Sequence, residues 1–161
     1  MQYPPGITYL KSYFESRGGK HDRTVFYGLQ DILKRYLTPR VTKEMVDEAE
    51  ELFAWHFGND RVFNRAGWDY IVNELGGRLP IRVKAVPEGT VVPVKNVLFT
   101  VESTDERVPW VVSYFETCLV QVWYPMTVAT NSFMQKTLIR ASMERTSDQG
   151  ADHPGIELMV K

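Results

Sequence analysis

The chain has little cysteine and no excess of charge of either sign. Cys118 is the single cysteine among 161 residues, so no disulfide can form within the chain, and a reducing compartment is expected. Lysine and arginine together number 19 against 20 aspartates and glutamates, which gives a formal net charge of -1. Because nucleic-acid binding requires a clear surplus of cations, this balance argues against nucleic acid as a partner.

Long apolar segments are absent as well. No run approaches the ~20 residues that a membrane-spanning helix requires, and the start of the chain, MQYPPGITYL, lacks the basic and apolar regions of a secretory signal. The sequence therefore predicts no membrane partner and a cytoplasmic location. A length of 161 residues suffices for a substantial core, so residues 1–161 are expected to form a single domain.

The common catalytic and metal-binding motifs are missing too. The three histidines lie far apart without partners at ligand spacing, so no metal site is predicted. There is no P-loop, no GxGxxG turn and no GxSxG motif. Acidic residues cluster at Glu102, Asp105 and Glu106, but this composition is more typical of a solvated turn than of an acid–base pair. The motifs alone assign no catalytic residue.

The chain does contain clear helical and strand patterns. Apolar residues at helical spacing predict helices over residues 29–37, 42–57, 66–75, 113–124 and 125–145. Alternating or β-branched runs predict strands over residues 8–16, 24–27, 81–85, 97–101 and 156–160. Prolines and glycines between residues 86 and 93 indicate a small β-rich insert. The expected fold is α/β of the α+β kind, a mixed sheet with surrounding helices.

Several side chains have specific predicted roles in these elements. Thr42 is expected to cap the second helix, and Ser113 and Glu116 have the spacing of a capping box. Pro125 suits the first turn of the last helix. The buried stripe of the second helix is predicted to be Met45, Ala49, Leu52 and Phe53. The aromatic residues, Trp123 among them, are expected to pack mostly in the core.

Arg17 is the candidate substrate-binding residue. It follows the first predicted strand and precedes Gly18-Gly19, where the backbone can turn sharply and approach a ligand closely. A planar guanidinium matches phosphate oxygens in pairs, so this position favours binding of a phosphate group. The alternative is an exposed arginine at a strand end that binds no ligand.

Several short blocks occur in an order that resembles one protein family. They are QYPP at 2–5, SYFE at 12–15, TVFYGLQ at 24–30, VTKE at 41–44, KAVPEG at 84–89, NVLFTVE at 96–102, WYP at 123–125 and TVATNS at 127–132. Together they resemble the N-terminal part of the nicotinamide phosphoribosyltransferases.

The resemblance implies the N-terminal portion of a type II phosphoribosyltransferase, a longer homodimeric enzyme of NAD salvage. That family forms nicotinamide mononucleotide from nicotinamide and phosphoribosyl pyrophosphate with Mg²⁺, and ATP is a further expected cofactor of the parent enzyme. Arg17 matches a family position close to bound phosphate. The family's stacking aromatics, later aspartates, phosphorylated histidine and glycine-rich phosphate loop have no match here.

These implications lead to a specific expectation for the isolated chain. We expect a chain truncated before the catalytic core, with Arg17 as its one substrate-binding residue, no catalytic residue, no metal ligand and no cofactor bound by this chain alone. The 161-residue chain is therefore expected to be inactive by itself. Two alternatives stay open, namely a stand-alone dimerisation or regulatory module without catalysis, and nicotinate instead of nicotinamide as the base.

Overall fold

The structure, a computed structural model, describes residues 3–148 and 154–155. Its strands and helices follow in the order β1 (Lys11–Glu15), β2 (Arg23–Val25), α1 (Leu29–Ile32), a π-helical turn (Leu33–Leu37), α2 (Lys43–Phe57), a 3-10 turn (Asp60–Val62), α3 (Arg65–Asn73), β3 (Ile81–Ala85), β4 (Val91–Pro93), β5 (Val97–Ser103), α4 (Val111–Val120) and α5 (Trp123–Thr146). The predicted α+β class is confirmed. The predicted strand at 156–160 lies outside the described residues.

Two small sheets form the β layer. In the three-stranded sheet, β5 lies between β1 and β3, and β2 pairs with β4 in a two-stranded sheet that is the predicted β-rich insert. All of these pairs are antiparallel rather than in the mixed arrangement that we expected. β5 is the central strand and also the most deeply buried one, with Leu98, Phe99 and Val101 in the hydrophobic core. The register of β1 on β5 shifts between Phe14 and Glu15, so a bulge redirects the chain just before Arg17.

The first hydrophobic core lies between the three-stranded sheet and helices α1, α4 and α5. Its buried residues are Phe26, Leu29, Ile32, Leu98, Phe99, Val101, Val112, Leu119, Val122 and Met126. Phe14 of β1 stacks on Phe99 of β5 with ring centroids 5.0 Å apart. The end of β1 is therefore held by aromatic packing as well as by its ladder of hydrogen bonds.

The second hydrophobic core joins α2 and α3 to the start of α4. Its buried residues are Val46, Phe63, Trp68, Ile71, Val108, Trp110 and Val111. Trp68 packs edge-on against Trp110 and Tyr114, with centroids 5.1 and 4.9 Å away. Such edge-to-face geometry suits the quadrupoles of the rings and contributes stability beyond the area that is buried.

Helix α2 confirms its predicted cap and corrects its predicted stripe. The Thr42 hydroxyl accepts a hydrogen bond from the Met45 backbone N–H at 3.3 Å. The core face of the helix contains Val46, with Ala49 and Phe53 partly buried, whereas the side chains of Met45 and Leu52 are exposed. One residue along a helix is a rotation of about 100°, so a stripe placed one position off points away from the core.

The predicted capping box of α4 is wrong. The helix begins at Val111, its N-cap is Trp110 without a side-chain cap, and Ser113 lies inside the first turn. The Val111 N–H bonds back to the Val108 carbonyl at 3.2 Å, so a backbone turn starts the helix in place of a serine. The Ser113 hydroxyl instead accepts a hydrogen bond from the Tyr3 hydroxyl.

The start of α5 is fixed against the β2 region. Pro125 lies in the first turn of α5, as predicted. Gly28 has φ 99 and approaches Pro125 so closely that an added Cβ would lie 2.4 Å from the proline Cγ. Further along α5, the buried Thr130 hydroxyl lies 3.0 Å from the Thr24 hydroxyl and accepts a hydrogen bond from the Val25 N–H. The first turns of α5 therefore form one rigid wall beside the end of β1.

Candidate functional site

Three clefts meet where β1 ends and α5 begins. The strand cleft, of about 300 Å³, is lined by Ser12, Tyr13, Phe14, Glu15, Arg17, Phe99, Val101, Glu116, Leu119 and Val120. The Arg17 cleft, of about 260 Å³, is lined by Phe14, Glu15, Ser16, Arg17, Thr24, Trp123, Met126 and Thr127. The glycine cleft, of about 240 Å³, is lined by Ser16, Gly18, Gly19, Lys20, His21, Arg23, Thr24, Val94, Thr127, Thr130 and Asn131. They are neighbouring parts of one depression.

Arg17 lies at the centre of this depression, where the sequence placed it. It comes two residues after β1 ends at Glu15 and lines both the strand cleft and the Arg17 cleft. Its side chain is exposed, and within the described residues its guanidinium has neither a hydrogen-bond nor an ion-pair partner. An unpaired cation above a concave surface can accept an anion without first breaking an internal ion pair. The phosphate-binding role of Arg17 stays a prediction.

The glycine pair after Arg17 has the backbone geometry that the sequence implied. Gly18 and Gly19 have φ 106 and 155, a region that other residues rarely adopt. A Cβ on Gly19 would meet no atom within 4 Å, and one on Gly18 would meet only Val94, at 3.9 Å. The backbone of the glycine pair, which lines the glycine cleft, is therefore not covered at either Cβ position.

Trp123 is the residue of this site that the sequence analysis missed. It was predicted to be buried, but 52% of its surface is exposed, and it lines the Arg17 cleft. The error arose because α4 ends at Val120 and α5 begins at Trp123, so the two residues do not share one continuous helical face. The available signal was an aromatic residue two positions before Pro125, a proline of the kind found in the first turn of a helix.

The acidic cluster does not form a catalytic pair. Glu102 is only 8% exposed, which corrects the expected solvated turn, and it accepts hydrogen bonds from Tyr9 at 2.8 Å and Arg82 at 3.1 Å. These two bonds lower the pKa of Glu102 despite its burial. Asp105 accepts hydrogen bonds from the Tyr70 hydroxyl and the Arg107 N–H, at 2.7 and 2.8 Å. Both carboxylates therefore serve structural contacts.

At Asp105, as at Glu102, burial and hydrogen bonding shift the pKa in opposite directions. Burial raises its pKa, but the hydrogen bonds from Arg107 and Tyr70 outweigh that effect and lower the pKa.

Cys118 is partly buried, and burial raises the pKa of its thiol, so it has the character of an inert side chain. Among the side chains that the structure describes, no three histidine, cysteine or acidic groups converge as metal ligands would. Of the described helices, none is long and apolar enough to cross a membrane.

Comparisons with known proteins agree on one family. Residues 1–83 match the family model described as nicotinamide phosphoribosyltransferase, N-terminal domain. A nicotinamide phosphoribosyltransferase of Xanthomonas campestris pv. campestris (strain 8004) is 53% identical over 148 residues, which are 92% of this chain and 31% of that protein. One of Acinetobacter baylyi (strain ATCC 33305 / BD413 / ADP1) is 28% identical over 174 residues, 94% of this chain and 34% of that protein. The chain thus spans about a third of the length of these curated relatives.

Proposed function

Since this chain belongs to the nicotinamide phosphoribosyltransferase family, we propose that it is part of a pentosyltransferase of NAD salvage. The proposed reaction joins nicotinamide to phosphoribosyl pyrophosphate and gives nicotinamide mononucleotide and pyrophosphate. The names of the two relatives support the nicotinamide substrate. The cytoplasmic location and the homodimer implied by the family resemblance are part of the same proposal.

The proposed chemistry is a substitution at C1 of the ribose. The pyridine nitrogen of nicotinamide forms a bond to C1 while the bond from C1 to the pyrophosphate oxygen breaks, and its electron pair leaves with the pyrophosphate. Positive charge develops on the sugar and negative charge on the leaving group. Catalysis of such a transfer rests mainly on positioning and on preorganised charge.

Arg17 carries the contribution of this chain to that chemistry. The supporting observation is its guanidinium, which is unpaired among the described residues and lines two clefts at the end of a rigid strand. In the proposal it donates paired hydrogen bonds to phosphate oxygens of phosphoribosyl pyrophosphate, and these bonds strengthen as charge moves to the leaving group. No other residue of the chain is assigned a role in the transfer.

Mg²⁺ and ATP are expected for the parent enzyme, and the described residues bring together no ligand set for the metal ion. Among residues 3–148 there is no convergent group of three acidic, histidine or cysteine side chains. Mg²⁺ therefore enters the proposal only as a counterion of the pyrophosphate. No step is assigned to either cofactor.

The proposal includes inactivity of the 161 residues by themselves. They span 31% of the Xanthomonas relative, and the described part brings a single unpaired arginine to the Arg17 cleft. The purified chain should give no nicotinamide mononucleotide from nicotinamide, phosphoribosyl pyrophosphate and Mg²⁺, as measured by chromatography. Turnover that Arg17→Ala abolishes would overturn this part of the proposal.

A second experiment tests the family function itself. This chain replaces the stretch of the Xanthomonas relative that it matches, and nicotinamide mononucleotide formation by the chimera is measured. At 53% identity the exchanged part should pack against the remainder and support turnover. A soluble, folded chimera without activity would contradict the proposal. Parallel assays with nicotinate identify the base.

Exposed apolar side chains along α5 favour contact with further polypeptide. Leu138 is 67% exposed, and Val128, Phe133 and Ile139 are exposed on the same helix. These side chains support the proposed homodimer, and they also fit the alternative of a dimerisation module without catalysis. Sedimentation of the chain and of the chimera distinguishes the two, because a module without catalysis would dimerise while its chimera stays inactive.

A further inference from the structure

We infer that the glycine cleft is a second phosphate position, which together with Arg17 holds the two ends of one phosphate chain. The ligand class is a linear di- or triphosphate, the group carried by phosphoribosyl pyrophosphate and by ATP. The inference rests on the proposed function and adds residues to its site. The loop from Ser16 to Arg23 is the element that links the two positions.

The two clefts are continuous. Ser16, Thr24 and Thr127 line both the Arg17 cleft and the glycine cleft. Arg17 and Lys20 are three residues apart, so their Cα atoms are separated by at most about 10 Å. Both side chains are long and exposed, so their cationic groups can approach neighbouring phosphates of a single ligand.

Lys20 brings an unpaired cation to the glycine cleft, and Lys95 lies next to the cleft residue Val94. Lys20 lines the glycine cleft and, in the described part of the chain, has no hydrogen-bond or ion-pair partner. Lys95 is likewise exposed without a side-chain partner there, and its backbone N–H donates to the Ser16 carbonyl at 2.7 Å. Arg23 differs because Asp22 holds it through two hydrogen bonds, of 3.0 and 3.2 Å. In a chain of net charge -1, this is a local excess of free positive charge.

The backbone adds uncharged donors. The N–H groups of Gly18 and Gly19 have no hydrogen-bond partner within residues 3–148, and no Cβ covers them. Phosphate oxygens commonly accept hydrogen bonds from backbone N–H groups that glycine leaves accessible. In such a site lysine supplies positive charge, and the glycine N–H groups donate directional hydrogen bonds to the phosphate oxygens.

The opposite wall is polar and fixed. Thr127 donates its hydroxyl to the Trp123 carbonyl at 2.7 Å, and Thr130 is held by Thr24 and the Val25 N–H. Asn131 lines the cleft with an exposed carboxamide that has no partner among the described side chains. His21 completes the wall as a partly buried side chain. The cleft thus combines mobile cations with a rigid polar surface.

Titration of the 161-residue chain with inorganic diphosphate, tripolyphosphate and orthophosphate tests the inference. Amide shifts are followed by NMR, and affinities are measured by calorimetry. We expect the shifts to be centred on Gly18, Gly19 and Lys20, with tripolyphosphate binding more tightly than diphosphate and orthophosphate most weakly. Lys20→Ala should weaken diphosphate binding about three- to tenfold, as loss of one partly exposed charge contact would.

Lys34→Ala is the matched control, because Lys34 is an equally exposed lysine on the π-helical turn and lines none of the three clefts. It should leave the affinity unchanged. Equal losses for Lys20→Ala and Lys34→Ala would overturn the inference, as would binding without shifts at the glycine pair or no binding by any of the anions.

The Arg17 variant separates this inference from the proposed function. If Arg17→Ala weakens binding while Lys20→Ala does not, the second phosphate position is refuted and the assigned role of Arg17 stands. If only Lys20→Ala weakens binding, the cleft is confirmed as an anion site and the assigned role of Arg17 fails. Displacement of diphosphate by phosphoribosyl pyrophosphate or by ATP, read from the same amide shifts, identifies the source of the phosphate chain.

Discussion

The α2–α3 layer and the depression beside β1 differ in whether their charged side chains have ion-pair partners. In the α2–α3 layer, Arg65 contacts Asp47, Glu50 and Asp69 at 2.7, 2.7 and 2.8 Å. Beside β1, Arg17 and Lys20 have no such partners among the described residues. Both regions are equally part of the fold, so the difference separates charges that hold elements together from charges that are available to a ligand.

Two tryptophans, one in each region, differ in a similar way. Trp68 is 5% exposed within the second hydrophobic core, whereas Trp123 is 52% exposed at the Arg17 cleft. The ion pairs of Arg65 and the lack of partners for Arg17 and Lys20 among the described residues support the proposal that the depression beside β1 binds the ligand.

Trp68→Ala against Trp123→Ala should give the largest difference. Removing the buried Trp68 ring leaves a cavity beside Trp110 and Tyr114 and should cost about 3–5 kcal/mol. Trp123→Ala should change the free energy of unfolding by less than about 0.5 kcal/mol. Urea denaturation followed by circular dichroism measures both. Similar losses for the two variants would show that Trp123 is also a structural residue.

Gly28→Ala should cause the next largest loss of stability, because it forces the first turns of α5 away from the β2 region. The new Cβ would lie 2.4 Å from Pro125 Cγ at a φ of 99, and we expect a cost of about 2 kcal/mol or more. Gly89→Ala is the control, with φ 87 and no atom within 4 Å, so it reports the backbone strain alone. Equal unfolding free energies for the two variants would mean that the approach to Pro125 is not tight.

Arg65→Met should lower the thermal unfolding midpoint, although by less than the two changes above. The substitution keeps much of the apolar stem but leaves Asp47, Glu50 and Asp69 close together without their shared cation. Arg17→Met should leave the midpoint unchanged, since Arg17 has no partner within the described residues to lose. Differential scanning calorimetry at low salt is the measurement. A midpoint lowered by Arg17→Met would give Arg17 a structural role.

The smallest expected effect is on the free energy of unfolding at acidic pH. Because the folded pKa of Glu102 is lowered from its ordinary value of 4.5, the ionised carboxylate stabilises the fold above that value, and this contribution is lost as pH falls through the folded pKa. Glu102→Gln should therefore lose less stability than the original chain between about pH 5 and about pH 3. Urea unfolding across that range checks it, and parallel curves would show that the Tyr9 and Arg82 bonds do not depend on the charge.

Elements with a local signal were predictable from the sequence. Thr42 caps α2 because a hydroxyl before a helix satisfies a free N–H whatever lies around it. Pro125 lies in the first turn of α5 for an equally local reason. The position of Arg17, after a strand and before a glycine pair, was also readable, and the structure places it there.

Features that depend on tertiary packing were not predictable. Glu102 looked like part of a solvated turn, but partners distant in sequence, Tyr9 and Arg82, hold it in a buried position. Ser113 had the spacing of a cap, yet a turn from Val108 starts the helix first. The lack of a partner for Arg17 among the described residues belongs to this class, since it depends on where residues distant in sequence lie.

The most direct test of the account is the dependence of the chimera on Arg17. We predict that Arg17→Ala lowers kcat/KM for phosphoribosyl pyrophosphate by at least about 100-fold, which is typical of losing one preorganised donor to developing charge. Lys34→Ala should leave kcat/KM unchanged, and both variants should unfold at the original midpoint. An Arg17→Ala chimera as active as its parent would contradict the claim that the open charge beside β1 serves the transfer.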